Sequence, residues 1–254
     1  MCGHTSEDKV TEGILLAVQF LTRIPVKKVI EYNNKNLRIA ISAFPLIGMI
    51  IGLISGLLFR ILVVYDDQVA AGVCILAMVI LSGGLHLDGL SDTLDGFLSG
   101  RGKERTMEIM KDSRLGTFGA LGLILVILLK FVFLSVLGID GWIGIPVAMA
   151  GGRLSAAWMI WRFPPARKEG LGSLFKGSQP DKSILVTSLL FIILIGFLGL
   201  LGMIALTAAV ISGQLVGRWS MKKINGLTGD VYGAGIELSE LVALAIFGGV
   251  NLWI

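Results

Sequence analysis

The stretch VAAGVCILAMVILSGGLHLDGLSDTLDGFLSG, residues 69–100, changes from apolar to acidic along its length. Its first part, Val69–Leu87, contains no Asp, Glu, Lys or Arg and is long enough for a transmembrane helix, which needs about 17–25 mostly apolar residues. The three aspartates that follow, Asp88, Asp92 and Asp95, lie within about 60° of one another on a helix, because each residue turns the helix by about 100°. The stretch therefore predicts a membrane-spanning helix with a carboxylate cluster where the helix leaves the bilayer.

The whole chain has the composition of a membrane protein. Of its 254 residues, 54% are hydrophobic and only 16% are charged, whereas soluble domains carry about 45–50% apolar and about 25% charged residues. The 34 glycines lie within apolar runs, where glycine lets helices approach closely. Two cysteines, Cys2 and Cys74, are too few for a disulfide framework, and we expect free, unreactive thiols. This composition excludes a disordered chain, a disulfide scaffold and an ordinary soluble enzyme.

Charged clusters divide the chain into seven predicted spans. These are Ile39–Phe59, Val69–Leu87, Phe118–Gly138, Ile143–Trp161, Ile184–Leu198, Met203–Gly217 and Ile236–Ile254. The fifth and sixth form one run that is interrupted only by glycines, which is long for one crossing and short for two. The stretch Gly13–Val26 is too short to span and predicts an amphipathic helix at the membrane interface.

The predicted fold is an all-α, polytopic transmembrane bundle with about seven spans and an N-terminal interfacial helix. Residues 1–254 are expected to form a single integral membrane domain. Within it, residues 1–38 would be a cytoplasmic or interfacial segment and residues 39–254 the transmembrane bundle.

Lysine and arginine occur mainly in alternate loops, and the remaining loops carry Asp66, Asp67 and Asp140. By the positive-inside rule the basic side is cytoplasmic, so we expect the N-terminus inside the cell. The net charge of +4 is explained by this topology, and no nucleic acid partner is expected. The expected surroundings are the lipid bilayer of the cytoplasmic (inner) membrane.

The aspartate cluster needs a positive partner. Its carboxylates would lie close to the carboxyl end of a helix, which disfavours negative charge, and burying one in the bilayer would cost about 2.5–3.5 kcal/mol. Divalent cations with oxygen ligands would compensate the cluster, and Mg²⁺ fits such ligands best; a solvated acidic face is the alternative. His86, just before Asp88, is either a base or ligand, or a hydrogen-bonded structural residue.

A second polar segment on the predicted cytoplasmic side is RGKERTMEIMKDSRLGTFG, residues 101–119. Lys111 and Arg114 are candidates for binding the oxygen atoms of a substrate phosphate. The alternative is that both residues only anchor the loop on the cytoplasmic side. Asp112, which lies between them, is a candidate metal ligand.

The third polar segment, NGLTGDVYGAGIELSE at residues 225–240, brings more carboxylates to the same side. Asp230 lies among glycines and is a candidate for binding the metal or the substrate. Glu237 is a candidate substrate contact or a cap of the last helix, because helix amino ends favour carboxylates. The glycines are expected to prevent a helix before about Ala234. Arg153, inside the fourth span, should meet a substrate phosphate or an internal carboxylate.

Carboxylates together with lysine and arginine at one membrane surface indicate the transfer of a phosphoryl group. Metal ions would neutralise the leaving phosphate, and a carboxylate would activate an attacking hydroxyl. The rival interpretation is an ion-coupled membrane transporter that uses the acidic cluster as a cation site. Such a site would lie near the bilayer midplane on interrupted helices, whereas these carboxylates are predicted at one surface.

Four segments resemble the cobalamin synthase (cobalamin-5′-phosphate synthase) family, in order along nearly the whole chain. They are FLTRIP at 20–25, GGLHLDGLSDTLDG at 83–96, IMKDSRLGTFG at 109–119 and LTGDVYGAGIELSE at 227–240. The motif departs from the family pattern only at Ser91, where alanine is common. The resemblance implies a Mg²⁺-dependent membrane enzyme with adenosylcobinamide-GDP ribazoletransferase activity. It would join adenosylcobinamide-GDP to α-ribazole or its 5′-phosphate and release GMP, late in cobalamin biosynthesis.

The resemblance also implies roles for individual residues. The active-site loops would be residues 86–117 and 218–240. Lys111 and Arg114 would hold the diphosphate, and Asp230 would complete the metal or ribazole site. One carboxylate would also serve as the base, and the implied metal ligands are Asp88, Asp92 and Asp95. The sequence leaves the oligomeric state open, a homo-oligomer included.

Overall fold

The computed structural model describes residues 6–178 and 181–251, and Cys2 and the end of the seventh predicted span lie outside them. The described chain is helical, and its only β-type pairing is an isolated bridge between Pro165 and Leu227. Cys74 is a buried free thiol, as predicted. The helices are α1 (Ser6–Leu21), α2 (Asn34–Leu62), α3 (Asp67–Ser82), α4 (Leu85–Leu98), α5 (Lys103–Ile109), α6 (Thr117–Ser135), α7 (Gly144–Arg162), α8 (Leu171–Gly177), α9 (Asp181–Gly196), α10 (Leu200–Ile224) and α11 (Gly229–Asn251), with a 3-10 helix at Asp140–Ile143.

Five of these helices are long and apolar enough to cross a membrane: α2, α6, α7 with its preceding 3-10 helix, α10 and α11. Helices α3 and α4 pass the same test only together, and α9 is a shorter apolar helix. The predicted all-α transmembrane fold is confirmed. Counting α3 and α9 as short crossings, the structure agrees with about seven spans.

The fifth and sixth predicted spans are two antiparallel helices. Near the start of α9, the Thr187 hydroxyl donates to the carbonyl of Ser42, close to the start of α2, at 3.3 Å. At the other end of α9, Ile195 lines a cavity together with Leu53 and Trp142, which lie towards the opposite end of α2 and just before α7. Helix α10 then returns along α7, with Gly213 against Ser155 and Gly217 against Phe163, so the apolar run forms two helices of opposite direction.

Two consecutive glycines separate α3 from α4. Gly83 and Gly84 have φ values of 68° and 69°, a left-handed conformation that residues with a Cβ rarely adopt. The chain bends by 89° there, so α4 lies nearly perpendicular to α3. The predicted span Val69–Leu87 therefore ends at Ser82. Asp88 lies in the first turn of a new helix, where the helix dipole favours a carboxylate, and not at the carboxyl end that the sequence suggested.

Backbone hydrogen bonds gather the basic segments at one end of the bundle. The N–H of Arg23, after α1, donates to Leu81 at the end of α3 (3.1 Å), and the N–H of Leu227, before α11, donates to Pro164 after α7 (2.9 Å). The helix predicted at Gly13–Val26 lies instead at Ser6–Leu21, because the chain leaves the helix before Pro25, and this helix, α1, packs on α2. A Cβ on Gly13 would overlap the side chain of Ile39. The bundle therefore presents one basic end, which carries α4 and the start of α11.

Candidate active site

Helix α4 packs tightly against the start of α11 through glycines. A Cβ on Gly89 would lie 2.7 Å from the carbonyl oxygen of Asp230, closer than real Cβ atoms come. Gly233 makes a similar approach to His86. The expectation that the helix begins near Ala234 is wrong, because α11 begins at Gly229 and its glycines serve helix packing, which overrides their low helix propensity. The packing brings Asp230 next to α4.

Carboxylates from both helices converge at this contact. Asp88, Asp95 and Asp230 lie near enough to Asp92 for their charges to repel it. Asp88 is exposed, whereas Asp92 and Asp230 are half-buried. Crowded, partly buried carboxylates are stabilised by a cation or by a bound proton.

The donor atoms at this contact suit a divalent cation, although the described side chains alone do not enclose one. Within residues 6–178 and 181–251, no three His, Cys, Asp or Glu side chains are grouped so that they could hold a metal ion. Mg²⁺ prefers oxygen ligands and is usually held by one or two carboxylates together with substrate phosphates and water. Two of the three carboxylates at this contact, Asp88 and Asp230, would fit that mode of binding, with Asp92 beside them.

Asp95 caps the amino end of α6 with its carboxylate. Its two carboxylate oxygens accept the backbone N–H groups of Gly116 and Gly119, at 2.8 Å each. This arrangement satisfies amide groups that a helix amino end leaves unpaired. A Cβ on either glycine would overlap the Asp95 carboxylate. The role of Asp95 as a metal ligand stays a prediction.

The loop after α5 keeps its charged side chains at the surface. Arg114 is 87% exposed and forms an ion pair with Asp112 at 2.6 Å, and Lys111 is exposed as well. Hydrogen bonds from Arg114 lower the pKa of Asp112 to about 2. Asp112 thus has Arg114 as its partner, and the phosphate and metal roles predicted for this loop stay predictions.

Arg153 and Glu237 lie inside the bundle. Arg153 of α7 is ion-paired with Glu240 of α11. Lys130 of α6 lies 2.6 Å from both Glu237 and Glu240, and all four residues are buried. Two positive and two negative charges balance in this cluster. Of the two alternatives for Arg153, the structure supports the internal carboxylate, and the substrate contacts predicted for Arg153 and Glu237 stay predictions.

Arg167 is a candidate site residue that the sequence analysis did not single out. It lines a cavity of about 140 Å³ together with Glu169, Thr228 and Asp230, and we call this the polar cavity after these side chains. Its Nε and Nη2 atoms are buried and have no hydrogen-bond partner in the described part of the chain. Its charge attracts Asp230. A guanidinium with free donors is suited to a phosphate group. In the sequence, nothing distinguishes Arg167 from the other positive charges of the basic loops.

A second cavity, of about 250 Å³, adjoins Asp88 and Asp230. We call it the aromatic cavity, because its walls include the rings of Phe20, Phe44, Phe175 and Tyr232. His86 also lines it and is buried. Asp230 therefore separates an aromatic cavity from a polar one.

Comparison with known proteins confirms the resemblance seen in the motifs. The family model of cobalamin-5-phosphate synthase matches residues 13–248. An adenosylcobinamide-GDP ribazoletransferase from Roseiflexus sp. (strain RS-1) is 40% identical over 236 residues, which are 90% of this chain and 86% of that protein. The protein of the same name from Escherichia coli (strain K12 / DH10B) is 39% identical over 239 residues, 89% of this chain and 95% of that protein. No solved structure matches the chain. The chain therefore belongs to the cobalamin-5-phosphate synthase family and is, like these relatives, a transferase of cobalamin biosynthesis.

Proposed function

We propose that this protein, embedded in the cytoplasmic membrane, joins adenosylcobinamide-GDP to α-ribazole or its 5′-phosphate in a Mg²⁺-dependent reaction that releases GMP. The names of its relatives give the reaction. The observation that carries the proposal is the convergence of Asp88 and Asp92 with Asp230, beside Arg167, at the basic end of the bundle. Residues 86–117 and 218–240 would supply the cytoplasmic active-site loops of one integral membrane domain.

The reaction replaces one phosphate ester by another. The 3′-hydroxyl of ribazole attacks the phosphorus next to cobinamide, and a new phosphorus–oxygen bond joins the two. The bond from that phosphorus to the bridging oxygen breaks, and GMP leaves with this oxygen. The hydroxyl proton passes to a carboxylate. Asp92 is the best candidate for this base, because its partial burial, and then the neighbouring negative charges, raise its pKa and favour the protonated form.

Oxygen atoms of Asp88 and Asp230 would hold the cation, which leaves Asp92 beside them to accept the proton. When bound, Mg²⁺ would withdraw charge from the reacting phosphorus and neutralise the leaving phosphate. Since no described trio of side chains encloses a metal, we expect the diphosphate of the substrate to complete the coordination. Binding of metal and nucleotide substrate should therefore depend on each other.

Cationic side chains would hold the phosphate oxygens. Arg167 has buried donors without partners, so a phosphate would satisfy them. Lys111 and Arg114 are exposed on the loop before α6. This loop is hydrogen-bonded to Asp95 of α4 through the N–H of Gly116, so both cations would bind the diphosphate from the side opposite Arg167.

The rival interpretation, a transporter that uses the aspartate cluster as its cation site, has less support, because Asp88 and Asp92 lie on α4 at one end of the bundle. The carboxylates inside the bundle, Glu237 and Glu240, pair with Lys130 and Arg153.

The direct test uses the full chain reconstituted in lipid nanodiscs. With adenosylcobinamide-GDP, α-ribazole and Mg²⁺, we expect GMP to form in a 1:1 ratio with the joined product, and EDTA should stop the reaction. Asp92→Asn should abolish turnover while the protein stays inserted and folded. Asp67→Asn, which removes an exposed carboxylate at the opposite end of the bundle, is the matched control and should keep the wild-type rate. GMP release that does not require ribazole, or that survives EDTA, would contradict the proposal.

A further inference from the structure

The walls of the aromatic cavity are rigid and mostly apolar. The ring of Phe175 meets the ring of Phe20 edge to face, with centroids 4.9 Å apart, and that of Phe44 in the same way at 5.7 Å. Such edge-to-face pairs fix the orientation of the rings. Phe44 and Phe175 are both buried. A flat, apolar ring would fit between these walls.

Two residues that line the aromatic cavity, His86 and Tyr232, carry buried polar atoms without partners among the described residues. The Nε2 atom of His86 and the hydroxyl of Tyr232 are buried and have no hydrogen-bond partner in residues 6–178 or 181–251. Both side chains are only 6% exposed. Buried polar groups are nearly always hydrogen-bonded. A ligand in the aromatic cavity would provide the hydrogen-bond partners that these two groups lack.

We infer, on the basis of the proposed function, that the aromatic cavity binds the benzimidazole base of the acceptor nucleoside, with Tyr232 and His86 as its polar contacts. The corrin ring is far too large for a cavity of about 250 Å³. Guanine would fit by size, but it carries hydrogen-bonding groups on several edges, and apolar walls would leave most of them unpaired. A benzimidazole riboside has one free ring nitrogen and an apolar outer edge.

The position of the cavity agrees with this assignment. Asp88 and Asp230 line its polar end, so a base held between the phenylalanines would direct its ribose towards the carboxylates that must activate a hydroxyl. Gly229 and Asp230 also line the polar cavity of Arg167. The base site therefore adjoins the polar cavity in which Arg167 would hold the diphosphate of the nucleotide substrate.

Equilibrium dialysis of α-ribazole against the purified full-length protein, without the nucleotide substrate, tests the inference independently of turnover. Tyr232→Phe removes only the hydroxyl and should weaken ribazole binding roughly 3- to 30-fold, the effect of one lost hydrogen bond in a buried site. The matched control is Tyr65→Phe at an exposed position between α2 and α3, which should bind like the wild type. Ala156→Leu, which adds bulk to the wall of the cavity, should weaken binding further.

Steady-state kinetics give the second readout. Tyr232→Phe should raise the KM for ribazole and leave the KM for adenosylcobinamide-GDP unchanged. Equal ribazole binding by wild type, Tyr232→Phe and Ala156→Leu would overturn the inference, as would a rise confined to the KM for adenosylcobinamide-GDP, which would assign the cavity to guanine. If Ala156→Leu does not fold, the ribazole affinities of Tyr232→Phe and Tyr65→Phe still test the inference, and equal affinities would overturn it. A wild-type protein that binds ribazole but releases no GMP would contradict the proposed reaction and not the base site.

Discussion

The guanidinium of Arg167 lies beside Asp230, and two of its nitrogen atoms are buried without a hydrogen-bond partner in the described chain. Arg114, by contrast, is largely exposed and already paired with Asp112. Both residues stand in basic loops, so charge alone does not distinguish them. Only Arg167 is held in place next to the carboxylates. At the scale of the residue, burial and missing partners are therefore better guides to the site than the sign of the charge.

Arg167→Ala should lower GMP release per folded protein by roughly 10- to 200-fold. The reason is the loss of a charge-assisted contact to phosphate, which is worth about 1.5–3 kcal/mol, with about 1.36 kcal/mol for each factor of ten in rate. Arg167→Lys should recover only part of the rate, since lysine lacks the planar fork of donors. Arg162→Ala, at an exposed position of the same basic segment, is the control. Full rescue by lysine would show that Arg167 acts only as a positive charge.

At the scale of the element, the contact between α4 and α11 forms the site. The carboxylates of Asp88 and Asp230 come from helices that are separated by well over a hundred residues, and glycine at position 89 is what allows their backbones to meet. The importance of this contact can be tested by a substitution at Gly89, which changes no charged side chain.

Gly89→Ala should separate α4 from α11 and reduce turnover more than it reduces the amount of folded protein. The added Cβ would lie 2.7 Å from the backbone of Asp230, and overpacking of this kind costs about 1–3 kcal/mol. The melting temperature in detergent and the rate of GMP release measure the two effects. Gly72→Ala is the control, because a Cβ on that helical glycine meets nothing within 4 Å. Equal behaviour of the two variants would mean that the helices do not need this close contact.

The sequence predicted most of the helices and the side of the bundle on which the carboxylates gather, because apolar length and charge alternation are recorded in local composition. The sequence did not predict the break at Gly83–Gly84. Apolar residues continue to Leu87, and hydropathy does not reveal that a glycine adopts a positive φ. The predicted start of the last helix was also too late. Gly233 discourages a helix in isolation, but in the fold it provides the room for His86. Pairings such as Lys130 with Glu237 depend on tertiary structure and could not be predicted from spacing.

At the scale of the whole molecule, all the basic segments lie at one end. The segments before α2, between α3 and α6, between α7 and α9, and between α10 and α11 carry most of the lysines and arginines. From the positive-inside rule we expect that end to face the cytoplasm. The substrates and GMP would then meet the protein from the aqueous side, without entering the bilayer.

Accessibility of single cysteines tests this orientation in a Cys2→Ser, Cys74→Ala background. We expect a membrane-impermeant maleimide to label one group of exposed positions only in inside-out vesicles, and the other group only in right-side-out vesicles. The first group is Glu104→Cys, Lys168→Cys and Lys222→Cys, and the second is Asp67→Cys and Asp140→Cys. Labelling of Lys168→Cys and Lys222→Cys from opposite sides would contradict the two crossings of α9 and α10.

The buried ion pairs set an order on the biogenesis of the protein. Lys130 and Arg153 are translated with α6 and α7, but their partners Glu237 and Glu240 arrive with α11, 107 residues after Lys130 in the first case. A lone cation at the centre of a span costs about 2.5–3.5 kcal/mol on the insertion scale. The positive charges of Lys130 and Arg153 therefore stay without these partners until α11 packs against α6 and α7. A chain that stops before α11 would present the quality-control machinery of the membrane with two uncompensated cations.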